Sequence, residues 1–342
     1  MRILLGMSGG LDSTYAARLL LDAGHEVEAA VLRMHEETDL AAARESADAL
    51  GIRLQEVDCR ARFEACVIEP FCRAYQEGMT PNPCVLCNPA VKFGVLYEQM
   101  LAGGFDRMAT GHYAQIREEG GRYAICLSED SRKDQSYVLY RLPQEVLSRL
   151  LFPLGGYGKE AVRAEARARG YAAAERAESM EICFVPPGRH AAYVAARCGE
   201  SPAGEFVDGQ GRVLGMHRGL PYYTVGQRKG LGIACGERMF VRRMDAGTNR
   251  IELSPEAACI CRTLTVRDLV FSGQAPCTEG VAEYSVRLRY RAPLLPARVC
   301  FTPTQAEVTL LTPAKFAAPG QSAVFYRGDR VAFGGIIAGG SE

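Results

Sequence analysis

The segment GMSGGLDS, residues 6–13, decides the fold of this 342-residue chain. It follows an apolar run at residues 2–5, which predicts a buried strand, and precedes an amphipathic stretch at 14–23, which predicts a helix. Glycines let the backbone approach an anion closely, and the hydroxyls of Ser8 and Ser13 can add hydrogen bonds. The first backbone N–H groups of a helix also carry partial positive charge. The segment is therefore predicted to cradle phosphate groups.

Glycine content alone leaves an alternative open, because a strand, a glycine turn and a helix also occur in α/β proteins that bind no nucleotide. The loop also lacks the lysine of a Walker A sequence. Asp12 favours a nucleotide, since a carboxylate beside phosphates is tolerated mainly when Mg²⁺ lies between them. The string SGGLDS resembles the loop of the N-type ATP pyrophosphatases, which cut ATP between the α and β phosphates and leave AMP on a substrate. The resemblance implies that ATP is bound by Gly6, Met7, Ser8, Gly9, Gly10, Leu11, Asp12 and Ser13.

Strand and helix patterns alternate over roughly the first third of the chain. Strands are predicted at 3–5, 27–32, 54–58 and 107–110, and helices at 14–23, 38–50, 60–77 and 90–102. This alternation is typical of parallel βαβ units, and it predicts an α/β fold with a doubly wound parallel sheet. Ligands bind beyond the carboxyl ends of such strands. The phosphate loop and the Gly111-His112 pair should therefore face one crevice.

Cysteines narrow the function further. The stretch TPNPCVLCN, residues 80–88, has prolines on both sides of Asn82 and is predicted to be an exposed loop. A second thiol lies in EICFV, residues 181–185, and two separated thiols beside an ATP-activating loop suggest sulfur transfer. Four further segments are TGHYA at 110–114, KDQSY at 133–137, GQRKGLG at 226–232 and PGQS at 319–322. Together these segments resemble the tRNA-specific 2-thiouridylase family, in the order that family uses and over nearly the whole chain.

The resemblance implies three domains. They are an ATP-pyrophosphatase catalytic domain at 1–198 with an adenine nucleotide alpha-hydrolase-like fold, a central β-rich tRNA-contacting domain at 199–263, and a C-terminal β-barrel at 264–342. The sequence pattern agrees, because glycines and prolines become dense after residue 199 and helical periodicity fades. Alternating strands follow from residue 264 onward, as expected of a small barrel or sandwich.

Composition indicates the setting. No apolar run approaches the length needed to span a membrane, and 13 cysteines without framework spacing favour a reducing, cytoplasmic location. The formal net charge of zero hides an asymmetry. Residues 1–80 contain 8 Arg and Lys against 14 Asp and Glu, whereas residues 205–300 contain 14 against 9. The basic half is predicted to face RNA.

The family resemblance also implies the reaction, which is ATP-dependent 2-thiolation of the wobble uridine of tRNA through adenylation of the uracil C2 oxygen. Asp12 and the phosphates would hold Mg²⁺, backbone near Leu32 would contact adenine, and Gly111 would pack close to the nucleotide. Cys183 would accept sulfur as a persulfide from a cysteine desulfurase or a sulfur-carrier protein. Cys87 would attack that persulfide or assist its transfer, leaving a disulfide between the two cysteines.

Recognition of tRNA is expected to rely on loop bases, because A-form stems show side chains little sequence information, and the target base is expected to be flipped out. The resemblance implies a uracil pocket lined by Asn82, Pro83 and Cys84, with His112 close by. The positions that match tRNA contacts in the family are Lys133, Asp134, Gln135, Arg289, Tyr290 and Gln321. Read without the resemblance, residues 289–290 would be a solvated strand edge and residues 226–232 a tight turn.

Cys84 departs from the family pattern, because many relatives have an aspartate with an acid–base role at this position. The three thiols of Cys84, Cys87 and Cys183 could hold a four-iron four-sulfur cluster with one iron left open to bind sulfide. A redox pair or half a zinc site uses the same spacing, although no second CxxC completes a zinc site. The sequence leaves cluster and plain thiol chemistry open. In either case a helix expected to start near Ala90 should favour the Cys87 thiolate.

Three other functions compete with 2-thiolation of the wobble uridine. An amide or ammonia ligase would leave the Cys87 and Cys183 segments unexplained, and no glutaminase domain is visible. A 4-thiouridine synthase has its RNA-binding region before the loop, which here begins at residue 6. A non-catalytic RNA-binding module would not require Ser8, Asp12 and Ser13 to be intact.

Overall fold

The fold is taken from a computed structural model, which describes residues 1–176 and 182–341. The N-terminal unit contains a parallel sheet of five strands. Strands are numbered in chain order, and β5 and β6, which span residues 115–126, form a separate hairpin described below. The five strands of the sheet are β1 (Arg2–Gly6), β2 (Glu26–Arg33), β3 (Leu54–Asp58), β4 (Arg107–Thr110) and β7 (Leu150–Leu151). Their spatial order is β3-β2-β1-β4-β7, so the chain reverses direction across the sheet between β1 and β4. The predicted doubly wound sheet is confirmed.

Both faces of this sheet are covered by helices. The α-helices are α1 (Leu11–Asp22), α2 (Leu40–Leu50), α3 (Arg60–Phe63), α4 (Glu69–Gln76), α5 (Pro83–Cys87), α6 (Phe93–Ala102), α7 (Gln144–Leu147), α8 (Lys159–Ala168) and α9 (His190–Cys198). Side chains alternate along β1, so Ile3 and Leu5 pack with α1, α2 and α8, whereas Leu4 packs with α6 on the other face. Burial on both faces explains why this strand is apolar throughout.

The predicted start of one helix is wrong. The helical segment expected to begin near Ala90 begins at Pro83, with the Asn82 side chain accepting a hydrogen bond from the Cys84 backbone N–H at 3.2 Å. Proline is tolerated there because the first backbone N–H of a helix needs no partner within the helix. A π-helical turn at Asn88–Lys92 accommodates Pro89 and continues into α6. Cys84, rather than Cys87, therefore lies in the first turn.

The second half of the chain is β-rich, as predicted. A four-stranded sheet contains β8 (Gly204–Val207), β9 (Val213–His217), β10 (Met239–Asp245) and β11 (Arg250–Pro255). A barrel follows, built from β12 (Ile260–Val270), β13 (Gly280–Arg287), β14 (Leu295–Phe301), β15 (Gln305–Lys315), β16 (Ser322–Arg327) and β17 (Arg330–Ser341). Pairing of β12 with β17 closes these six strands. The boundary expected at residue 264 falls inside β12.

A hairpin of the N-terminal unit joins the barrel. It consists of β5 (Gln115–Glu119) and β6 (Arg122–Cys126), and β6 pairs with β17. The sequence patterns did not predict this hairpin, because burial does not alternate along either strand. Among the helices of residues 1–176 and 182–341, none is both long and apolar enough to cross a membrane.

A buried ion pair ties the same two units together. The Arg287 guanidinium on β13 lies 2.6 Å from an oxygen of Asp134, and the exposed fractions of the two side chains are 12% and 1%. The same carboxylate accepts hydrogen bonds from the Ser136 hydroxyl at 2.8 Å and the Ser128 backbone N–H at 3.1 Å. Because every donor points at one carboxylate, Asp134 fixes the 128–136 segment against the barrel.

We predict that Asp134→Asn lowers the free energy of unfolding by about 3–5 kcal/mol, because it leaves the Arg287 charge buried without a counter-ion. Urea denaturation followed by circular dichroism measures the change. Glu283→Gln is the matched control, since it breaks an exposed pair with Arg298 and should cost at most about 1 kcal/mol. Equal stability losses in the two variants would contradict the structural role of Asp134.

Candidate active site

The phosphate loop is held by its own hydroxyls. The Ser13 hydroxyl accepts from the Ser8 backbone N–H at 3.2 Å and donates to the Gly10 carbonyl at 3.1 Å. Gly9 has a φ of +76°, and a Cβ there would lie 2.3 Å from the Ala42 carbonyl carbon, so only glycine fits. The Gly10 cap makes no side-chain hydrogen bond, which leaves the first N–H groups of α1 to meet an anion.

Gly111 completes the loop from the neighbouring strand. A Cβ at this position would lie 2.6 Å from the backbone carbonyl carbon of Asp12 and 2.7 Å from the Ser13 nitrogen. The end of β4 therefore packs directly against the phosphate loop. This contact lies at the carboxyl ends of β1 and β4, between which the strand order reverses. This placement agrees with the expectation that the two segments face one crevice.

The Asp12 carboxylate accepts two side-chain hydrogen bonds in this structure. One of its oxygens, Oδ1, accepts from the Lys159 ammonium at 2.6 Å and from the Tyr113 hydroxyl at 2.9 Å. Lys159 is the first residue of α8, and its side chain is only 3% exposed, whereas that of Asp12 is 36% exposed. Asp12 thus joins a buried cation to an open phosphate loop.

A cavity of about 490 Å³ opens beside this loop. Its volume lies within the roughly 300–1,000 Å³ of small-molecule sites. Eleven predicted site residues line it, namely Ser8, Gly10, Leu11, Asp12, Asn82, Pro83, Cys84, Lys133, Gln135, Tyr290 and Gln321. Residues from the phosphate loop and from the 80–88, 133–137, 289–290 and 319–322 segments therefore meet at one site, whereas Leu32, Gly111, His112, Cys183 and residues 226–232 do not line it.

Other predicted residues support the site from outside the cavity. Leu32 is buried at the end of β2, and Gly6 and Met7 lead from β1 into the loop. Asp134 is also buried, in the ion pair with Arg287, so it holds the loop that carries Lys133 and Gln135 rather than facing the cavity.

Arg289 is placed differently from the expected tRNA contact. Its guanidinium donates to the Val225 carbonyl at 3.0 Å and the Phe316 carbonyl at 2.9 Å, and burial lowers its pKa from the ordinary value. It therefore joins the barrel to the central sheet. The adjacent Tyr290 does line the cavity, beside Arg291.

The PGQS segment supports the cysteine loop. The Gln321 side-chain amide donates to the Thr80 carbonyl at 2.8 Å, and the Thr80 N–H donates to the Pro319 carbonyl at 2.9 Å. Gly320 has a φ of +89°, and a Cβ there would lie 2.9 Å from the Thr80 nitrogen. The barrel therefore sets the position from which the chain enters α5.

His112 packs between two aromatic rings rather than on the cavity wall. Its ring centroid lies 5.3 Å from that of Phe93 and 6.0 Å from that of Phe152, and its Nδ1 lies 2.8 Å from the Thr110 hydroxyl. Burial, together with the Lys92 charge, holds the pKa of His112 well below its usual range. The imidazole is therefore neutral near pH 7.

The three candidate thiols are electrostatic neighbours. Burial raises the pKa of Cys87 to about 12, the charges of Cys84 and Cys183 act in the same direction, and Lys92 opposes them. The prediction of a favoured Cys87 thiolate is wrong for this conformation, because Cys87 lies at the end of α5 and is only 7% exposed. Cys84 and Cys183 are exposed. Glu181, in the same motif as Cys183, lies outside the described residues.

The thiols do not form a metal site in this conformation. Within residues 1–176 and 182–341, no three His, Cys, Asp or Glu side chains are gathered closely enough to hold a metal ion. The described geometry therefore does not fit the cluster that the spacing of Cys84, Cys87 and Cys183 allows.

Seven described residues that line the cavity were not predicted as site residues. Pro81, Tyr113 and Ile182 lie inside the quoted motifs, whereas Val138, Lys159, Arg176 and Arg291 lie outside them. A signal for Lys159 was available, because it follows β7 and begins a helix, which places it at the carboxyl edge of the same parallel sheet. No signal was available for Arg176, whose guanidinium donates to the Gly9 carbonyl from far along the chain.

A doubly wound sheet whose phosphate loop opens onto a cavity that the C-terminal barrel also lines defines a nucleotide-binding α/β protein of the HUP class. Family comparison agrees with this class. The family described as "tRNA methyl transferase HUP domain" matches residues 1–187, "tRNA methyl transferase PRC-barrel domain" matches 191–255, and "Aminomethyltransferase beta-barrel domain" matches 261–337.

Two relatives show which family within this class the chain belongs to. The "tRNA-specific 2-thiouridylase MnmA" of Desulforudis audaxviator is 44% identical over 340 residues, which cover 98% of each chain. The protein of the same name from Treponema denticola is 40% identical over 358 aligned positions, again covering 98% of each chain. The chain belongs to the tRNA-specific 2-thiouridylase family, which confirms the resemblance inferred from the motifs.

We predict that iodoacetamide modifies Cys87 far more slowly than Cys300 at pH 8, as measured by mass spectrometry of peptides from the folded protein. Cys87 is buried, and the raised pKa leaves it almost entirely as the unreactive thiol, whereas Cys300 is an exposed accessibility control. A pKa of about 12 implies that Cys87 modification still accelerates between pH 9 and 10, above the ordinary cysteine pKa of about 8.5. Equal rates for both cysteines at pH 8 would contradict the assignment.

Proposed function

We propose that this protein uses ATP to adenylate the C2 oxygen of the wobble uridine of tRNA and then replaces that oxygen with sulfur. The observation that carries the proposal is the shared cavity, in which the phosphate loop, the Asn82–Cys84 turn and the barrel residues Tyr290 and Gln321 meet. A single site of this kind lets activation and sulfur transfer act on one carbon. Family membership supports the same reaction.

ATP would bind with its phosphates at the start of α1. The backbone N–H groups there and the hydroxyls of Ser8 and Ser13 are suitable donors. The Asp12 carboxylate fits Mg²⁺, because it is a hard oxygen ligand on the cavity wall, and only its Oδ1 is hydrogen-bonded among the described residues. Bound Mg²⁺ would neutralise phosphate charge. Adenine contact near Leu32 remains part of the proposal.

The first chemical step forms a bond between uracil and the α-phosphorus of ATP and breaks the bond to pyrophosphate. The uracil oxygen forms a bond to the α-phosphorus of ATP while the bond from that phosphorus to the bridging oxygen breaks, and pyrophosphate leaves with the electron pair. The C2 oxygen then belongs to AMP, which is a much better leaving group than an oxide. Asn82, Pro83 and Cys84 line the part of the cavity where we place the flipped uracil.

The second step delivers sulfur through the thiols. A persulfide on the exposed Cys183 attacks C2 with its terminal sulfur, and AMP leaves. The Cys87 thiolate then attacks the Cys183 sulfur, which forms the disulfide and leaves the thiocarbonyl on the base. Because burial raises the pKa of Cys87 to about 12, this step requires that bound substrates change its surroundings. A cysteine desulfurase or a sulfur-carrier protein would supply the persulfide, in the reducing cytoplasm that thirteen free thiols suit.

We place tRNA across the barrel, the central sheet and the cavity mouth. The excess of Arg and Lys in residues 205–300 supports this placement, although several of these residues are paired internally, such as Arg242 with Glu252 and Arg250 with Glu205. Lys133 and Gln135, which belong to the N-terminal unit, also line the cavity. The tRNA contacts are therefore expected where the units meet.

We predict that the protein with ATP, Mg²⁺, unmodified tRNA, cysteine and a cysteine desulfurase forms 2-thiouridine, as detected by mass spectrometry of digested nucleosides. Asp12→Ala should abolish pyrophosphate release while tRNA binding persists, because the phosphate site is lost and the RNA surface is not. Cys300→Ser, which changes an exposed thiol that does not line the cavity, is the control and should thiolate normally. Full thiolation by Asp12→Ala would contradict the role of Asp12, and tRNA binding without pyrophosphate release by the unaltered protein would indicate a binding module.

The role of Cys84 separates persulfide relay from cluster chemistry. Under the relay, anaerobically purified protein contains no iron, Cys183→Ser accepts no labelled sulfur, and Cys84→Ser keeps substantial activity. Iron analysis and the visible spectrum of the purified protein provide the measurement, because cysteine-ligated cubanes bind four irons and absorb broadly. Iron-dependent activity that is lost equally in Cys84→Ser, Cys87→Ser and Cys183→Ser would exclude the relay.

A further inference from the structure

Lys159 occupies an unusual position for a lysine. It is the first residue of α8, its side chain is 3% exposed, and its ammonium lines the cavity 2.6 Å from the Asp12 carboxylate. Lysine side chains normally extend their charge into water, because burying an ammonium costs several kcal/mol. A specific feature of the site must therefore stabilise it.

Neighbouring groups hold both the backbone and the side-chain ammonium of Lys159 in place. Its backbone N–H donates to an oxygen of Asp130 at 3.3 Å, which anchors the start of α8. At the other end, the Tyr113 hydroxyl binds the same Asp12 oxygen as the ammonium does, and the Tyr113 ring centroid lies 5.7 Å from the ammonium. The charge is therefore held in one place before any substrate binds.

The phosphate loop lacks a cation of its own. It offers backbone N–H groups and the hydroxyls of Ser8 and Ser13, but its one charged side chain, Asp12, is negative. A triphosphate brings further negative charge to that carboxylate. At a distance of a few ångströms in a partly dry site, like charges repel strongly, so a positive side chain would add to the neutralisation that the Mg²⁺ proposed at Asp12 supplies.

We infer that Lys159 is a further active-site residue, whose ammonium pairs with Asp12 in the free protein and contacts the phosphates of ATP when the nucleotide binds. Its positive charge neutralises the charge that develops on the departing pyrophosphate. Its place at the carboxyl edge of the sheet, beside the start of α1, puts it within the same crevice. The inference rests on the proposed function, since it assigns a residue to the adenylation step.

The test compares Lys159→Met with Arg167→Met in the full-length protein. Arg167 lies on the same helix, but it is 53% exposed and pairs with Glu175, so its replacement removes a charge without touching the cavity. The measurements are tRNA-dependent pyrophosphate release and, by calorimetry, the Kd of a non-hydrolysable ATP analogue with Mg²⁺. Circular dichroism confirms folding, and tRNA binding is measured in parallel.

We expect Lys159→Met to slow pyrophosphate release by about 10²–10³-fold, as for other losses of one transition-state donor. The Kd of the analogue should rise about tenfold, as for a lost charge-assisted contact. tRNA binding should be unchanged, and Arg167→Met should match the unaltered protein. Lys159→Arg, which keeps the charge in a bulkier group, should fall between the two.

Normal pyrophosphate release and normal analogue binding by a folded Lys159→Met variant would overturn the inference. If that variant does not fold, Lys159→Gln replaces it under the same criteria, because an amide can still donate to Asp12. A failure of the proposed function looks different. In that case the unaltered protein binds the analogue and Lys159→Met does not, yet the unaltered protein forms no 2-thiouridine.

Discussion

The buried contact between Asp134 and Arg287 is the constraint on which the rest of the structure depends. One carboxylate accepts hydrogen bonds from Ser128, Ser136 and the barrel arginine, so a loop of the nucleotide unit and a strand of the barrel have a fixed relative position. The cavity lies between these units. The β6–β17 pairing and the Gln321 contact with Thr80 join the same units, but of these three contacts only that of Asp134 is a buried charge pair. The phosphate loop and Tyr290 therefore share one cavity because these two units are joined.

The phosphate loop and the thiol cluster differ in physical character. At the phosphate loop, close backbone approach at Gly9 and Gly111 creates an open, donor-rich site on the cavity wall. Cys84 lines the same cavity, whereas Cys87 is buried among apolar side chains and Cys183 is exposed, both outside the cavity lining. An exposed sulfur acceptor can meet a donor protein, whereas a buried thiol is protected from premature oxidation. This division suits the proposed relay, in which the second thiol acts only after substrates have bound.

Local patterns predicted the first sheet well, because strands such as β1 are buried on both faces and leave an unbroken apolar run. They failed at Pro83, since a proline that breaks a helix interior is also a good first helical residue. Likewise the environment of Cys87 depends on packing by residues distant in sequence. Contacts that join distant segments, such as the Lys159 pair with Asp12, carry no local signature. The motifs located the site, but only the fold showed which residues line it.

The central claim is that the uracil oxygen is transferred to AMP in this cavity before sulfur replaces it. The most direct measurement uses tRNA carrying ¹⁸O at C2 of the wobble uridine, with mass spectrometry of the AMP, the pyrophosphate and the nucleosides after one turnover. The account predicts one ¹⁸O atom in AMP for every 2-thiouridine formed, and none in pyrophosphate. Label in pyrophosphate or in water, with unlabelled AMP, would contradict it.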